Sequence, residues 1–165
     1  MLFLLKILAF FTSLLFMTGC GMHSNMKYTD MALYPYRYAD FDYKYAWKTT
    51  DTDKGLLIDG VMKNVRYAYI NSVDLTVNVI GKDGKKVAKA VGFPMPQHSR
   101  EGDKCYFSLL LRDVKPAPGD IFQFQVHYIG NDGDRRSGVN WHSSFKVEAM
   151  TGAGIHEPSK KTDNW

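Results

Sequence analysis

The side chains able to do chemistry here are five histidines, two cysteines, scattered carboxylates and serines, and ten tyrosines. The histidines are His23, His98, His127, His142 and His156, and no two stand at zinc-finger spacing. His127 and His142 both fall on the polar phase of alternating segments, and as neighbours across two strands they would suit Cu(II), Ni(II) or Zn. The plainer alternative is two exposed, unpaired rings. Met22, His23 and Met26 offer a soft Cu(I) set with the same plain alternative. His142 is followed by Ser143 and Ser144, but adjacent strand residues point to opposite faces, and no Gly-x-Ser-x-Gly is present. Asn131, Asp132 and Asp134, like Asp51 and Asp53, resemble part of a calcium loop. The Glu that such a loop needs at its twelfth position is His142 here, so a turn explains these residues without an ion. No carboxylate pair for glycan cleavage can be assigned from spacing. No catalytic set and no cofactor are therefore expected. Tyr36, Tyr38, Tyr43, Tyr45 and Trp47 are either an exposed partner-binding surface or core.

These side chains sit downstream of a distinct first segment. Lys6 is the early charge, and Ile7–Met17 is an apolar run broken by Thr12 and Ser13, which describes a secretory signal peptide. The run is short for a bilayer span of about 20 residues. Adding Leu2–Leu5 lengthens it but includes Lys6, so an uncleaved anchor is the alternative. The exit, Phe16-Met17-Thr18-Gly19-Cys20, resembles the bacterial lipobox, with Met17 where Leu is commoner. The resemblance implies cleavage before Cys20 and acylation of its sulfur and new amine, so that acyl chains anchor the protein. A buried or disulfide-bonded Cys20 is the competing reading. Gly21 follows, with no Asp to resemble the inner-membrane retention signal, which favours the outer membrane. Lipidation leaves Cys105 without a partner in the chain. Its apolar strand context predicts a small buried residue, and a reactive free thiol is the alternative.

The rest alternates with period two. Gly21 to Asp40 reads as a tether, with an edge strand through Tyr36–Tyr45 as the alternative. Strands are expected around Tyr43–Trp47, Leu56–Met62, Val73–Val79, Val87–Val91, Cys105–Arg112, Phe122–Tyr128 and Trp141–Val147. Asp83-Gly84 is a hairpin signal, and Pro94 and Pro96 interrupt pairing. About seven short strands without an amphipathic helix predict an all-β fold, a single antiparallel immunoglobulin-like β-sandwich. The expected organisation is a signal peptide over 1–19, a lipidated tether over 20–40, the sandwich over 41–150 and a flexible tail over 151–165. The formal net charge is +4, with Lys and Arg scattered among Asp along the chain. That gives no clustered basic face of the kind nucleic acid requires.

Two further likenesses rest on particular segments. Ile58-Asp-Gly-Val-Met-Lys-Asn64, Val73-Asp-Leu-Thr-Val-Asn-Val79 and Lys82-Asp-Gly84 resemble the FxLYD type of bacterial extracellular domain, although that family's name motif is missing. Pro118-Gly-Asp-Ile-Phe122 is similar to the corner that enters a late strand of fibronectin type III domains, with Phe122 where a Tyr usually stands. Both imply architecture and neither implies an activity. The expectation is a membrane-anchored, non-enzymatic binding or accessory module of the cell envelope, with an envelope protein as partner. A small-ligand or metal-binding lipoprotein using His127 and His142 is the alternative.

Overall fold

The computed structural model describes residues 30–131 and 138–155. Cys20, Met22, His23, Met26, Asp132, Asp134 and His156 lie outside the described residues, as do the leader and the end of the tail. Eight strands are described: β1 (Tyr36–Ala39), β2 (Tyr43–Thr52), β3 (Gly55–Asn64), β4 (Tyr69–Ile80), β5 (Lys86–Gly92), β6 (Lys104–Arg112), β7 (Ile121–Asn131) and β8 (Val139–Glu148). They form two four-stranded antiparallel sheets, β1-β2-β3-β6 and β5-β4-β7-β8. The fold is an all-β, antiparallel sandwich. β2 to β8 are the seven strands that the alternation predicts, and β1 is added at the edge of the first sheet.

β1 takes four residues from the segment expected to be tether. Tyr36 and Tyr38 turn inward at period two, Arg37 and Ala39 turn outward, and β1 pairs in register with Trp47 to Lys44 of β2. Asp40 makes the turn between them. Its Oδ1 accepts the backbone N–H groups of Asp42 and Tyr43 at 2.9 and 2.7 Å, and its Oδ2 accepts the Tyr45 hydroxyl at 3.0 Å. The tail also departs from expectation over its first residues. The Glu148 carboxylate accepts the N–H groups of Met150 and Thr151, and Gly152 turns the chain at φ 70°. Ile155 N–H then bonds the Lys146 carbonyl at 2.8 Å. A Cβ at Gly152 would lie 2.5 Å from the Tyr36 ring, so glycine is required there on two counts.

The core is an aromatic stack between the sheets. Tyr43, Tyr45 and Trp47 are at most 1% exposed, so these three do not form the partner-binding surface that their crowding in the sequence suggested. They face inward because a half-buried strand must bury one phase, and theirs is the apolar one. Phe145 of β8 sits among them, with ring centroids 4.7 Å from Tyr45, 6.5 Å from Trp47 and 4.8 Å from Phe124. Tyr38 stacks on the same ring at 4.0 Å, which closes the open side of the sandwich between β1 and β8. Tyr36 completes that closure by donating its hydroxyl to the Met150 carbonyl at 3.0 Å. Phe145→Ala should therefore lower the unfolding free energy by about 3–5 kcal/mol, and Tyr36→Phe by only about 1 kcal/mol. Urea unfolding that gave the two variants equal midpoints would contradict this packing.

Candidate ligand-binding face

The outer face of the second sheet arranges its polar phase in rows. Asp74, His127 and His142 are direct neighbours across β4, β7 and β8. The next row is Val91, Thr76, Gln125 and Ser144, and the one after is Lys89, Asn78, Gln123 and Lys146. The first two rows and Lys89 line a trough of about 470 Å³. The inward phase of the same strands is apolar, with Val73, Leu75, Phe124 and Val126 at most 1% exposed. The trough thus rests on strands fixed by their own core.

His127 and His142 are direct cross-strand partners on β7 and β8. Their rings lie 4.5 Å apart with 27° between planes. The His127 Nδ1 is 3.5 Å from Asp74 Oδ2, and its Nε2 is 3.2 Å from Asn140 Oδ1. Asp74 lies across His127 from His142, so the carboxylate and the second imidazole do not share one point. Among the described residues, no three donors of His, Cys, Asp or Glu converge on a metal position. Asn78 was not singled out in the sequence. It is 1% exposed and donates its amide to Gln125 Oε1 at 3.0 Å and Gln123 Oε1 at 3.4 Å. Ser144 faces the trough, whereas Ser143 falls in the inward phase and donates to Asp40 Oδ2 at 3.4 Å. Of the two serines, Ser144 shares the trough face with His142, two residues away on β8. Asp74 is the one carboxylate lining the trough.

A second exposed feature lies at one end of the strands. Arg66, in the β3–β4 loop, bonds Asp42 Oδ1 at 2.8 Å and the Tyr128 hydroxyl at 3.0 Å. Its guanidinium lies 3.7 Å over the Trp141 ring and 5.6 Å from the Phe41 centroid. Phe41 and Tyr67 beside it are 81% and 86% exposed. At this end Phe41 and Tyr67 come from loops and Trp141 from β8, whereas the alternating set of β1 and β2 packs inward. In the sequence Arg66 reads as a loop cation, since nothing local shows that Asp42, Tyr128 and Trp141 converge on it.

Cys105 is fully buried on the inward phase of β6, and burial pushes its thiol above the ordinary cysteine range. A raised value means less thiolate at neutral pH, and the thiolate is the reactive form. A thiol reagent should leave Cys105 unmodified in the folded chain and modify it fully in denaturant; rapid labelling of the native protein would contradict its burial.

No protein-family model matches the chain, and no curated protein matches it.

Proposed function

We propose that the chain is a lipoprotein of the bacterial cell envelope, anchored through acylated Cys20 and acting as a non-enzymatic binding or accessory module. The observation that carries the binding role is the trough of the second sheet: hydrogen-bonding side chains from β4, β5, β7 and β8, set in rows on strands that their own core fixes. The Arg66 end, with Phe41, Tyr67 and Trp141, supplies the residue types that dominate protein contacts and suits an envelope protein partner. Hydrolysis of glycan by the usual mechanism takes two facing carboxylates, and Asp74 alone lines the trough. The lipobox Met17-Thr18-Gly19-Cys20 favours lipid anchoring, and Gly21 after it favours the outer membrane. Among the described residues no helix is long and apolar enough to cross a membrane. Intact-mass analysis of the protein from native membranes should find a first residue, Cys20, that carries acyl groups. An unmodified Cys20 would overturn the anchor.

A second reading, metal binding, is favoured by one observation, the direct cross-strand contact of His127 and His142. With two imidazoles and no converging third donor, the pair suits Cu(II) or Ni(II) bound weakly with solvent completing the sphere. Calorimetric titration of the domain with Cu(II) should give one site that either His127→Ala or His142→Ala abolishes. Unchanged binding in both variants would end this reading.

A further inference from the structure

The outer face of the first sheet concentrates positive charge that the sequence scatters. Lys44, Lys63 and Lys104 are direct cross-strand partners on β2, β3 and β6. One row along, Arg37 of β1 faces Ala46. Lys48 follows beside Asp59, and Arg112 stands in the last row. Asp59 is the only carboxylate in these rows. None of the three lysines has an ion pair among the described residues. Like charges directly opposite on neighbouring strands destabilise a sheet. Three in one row are therefore a local penalty that an anionic surface would turn into attraction. These rows thus hold Arg37, Lys44, Lys48, Lys63, Lys104 and Arg112 against Asp59.

The described chain also enters on this face. The Arg37 guanidinium bonds the carbonyls of Ala32 and Tyr34, which holds the segment before β1 on this side of the sandwich. Exposed apolar side chains stand at both edges of the face, Leu33 beside β1 and Met95, which pairs with Tyr106, beside β6. From Cys20 to Asp30, where the described chain begins, ten residues reach at most about 35 Å when fully extended. A tether of that length holds a domain near a bilayer without orienting it, so the orientation is left to surface charge.

We propose that this face docks the domain on an anionic phospholipid surface, with the row Lys44, Lys63 and Lys104 meeting the headgroup phosphates. The choice of a membrane as occupant rests on the lipoprotein reading. In this pose the trough of the second sheet faces away from the bilayer.

The test uses a chain beginning at Gly21, which keeps every described strand and lacks the acylation site. Any association with vesicles then comes from the domain. It should sediment with phosphatidylcholine vesicles that contain phosphatidylglycerol and not with phosphatidylcholine alone, and added salt should release it. Each basic residue near such a surface is worth about fivefold in partitioning, so the triple variant Lys44→Gln, Lys63→Gln, Lys104→Gln should lose roughly a hundredfold. Lys82→Gln with Lys85→Gln, on the β4–β5 hairpin, should bind like the wild type. The triple variant should also melt at a higher temperature without vesicles, because it has lost the like-charge row. Equal association with neutral vesicles, full binding by the triple variant, or capture by a soluble acidic polysaccharide but not by vesicles would each overturn the proposal. An unmodified Cys20 with intact vesicle binding would remove the anchor and leave the docking face. An acylated Cys20 with no vesicle binding would do the reverse.

Discussion

The register of β3 is the constraint on which both surfaces and the core depend. β3 pairs with β2 along its whole length and with β6 over nearly all of it. The hairpin that enters β3 sets the phase. Thr52 Oγ1 donates to the Gly55 carbonyl at 2.7 Å and accepts the Lys54 N–H at 3.2 Å. Gly55 holds φ 125°, and a Cβ there would fall 2.1 Å from the Leu111 carbonyl, so the β2–β3 turn and β6 are fitted to each other at a point where only glycine passes. Side chains alternate with a period of two, so a slip of one residue would exchange the faces. Lys63 would be driven inward and Met62 turned out to solvent, and Lys44 and Lys104 would lose the residue that joins them in one row.

The two sheets use the same alternation for different ends. Each contributes its apolar phase to one core, where Phe145 ties β1 and β2 to β8 and Trp47 meets Phe124 across the interface. Their outward phases differ. The first sheet shows cations at cross-strand positions, and the second shows amides, hydroxyls and imidazoles around a trough. Aromatic packing outweighs the repulsion within the lysine row, since a core aromatic contributes about 3–5 kcal/mol and a like-charge pair on an exposed strand costs at most about 1 kcal/mol. A sandwich with a strong core can thus carry a poorly balanced face.

Much of the fold was legible because period-two alternation reports burial directly. The alternating runs around Val73–Val79, Phe122–Tyr128 and Trp141–Val147 all lie within strands, and Asp83-Gly84 makes the turn between β4 and β5, with Gly84 at φ 77°. β1 was harder to read, because four residues carry little periodicity and Tyr36–Ala39 adjoin a polar segment. Alternation also gave the polar phase of His127 and His142, and their contact followed once β7 and β8 paired. The lysine row could not be read from the sequence. Lys44, Lys63 and Lys104 lie on separate strands, and only cross-strand register brings them together. Arg66 was hidden for the same reason, since its partners Asp42, Tyr128 and Trp141 come from three distant parts of the chain.

The central claim is an orientation: first sheet toward the bilayer, second sheet away from it. Ser108 and Ser144 are exposed serines on the outer faces of β6 and β8, and Cys105 is buried, so Ser108→Cys and Ser144→Cys would each accept a fluorescent label at one position. The most direct measurement is quenching of each label by quencher-bearing lipids in anionic vesicles, with the protein purified from native membranes and reconstituted. The account predicts strong quenching at position 108 and little at position 144. Equal quenching at the two positions, or stronger quenching at 144, would contradict it.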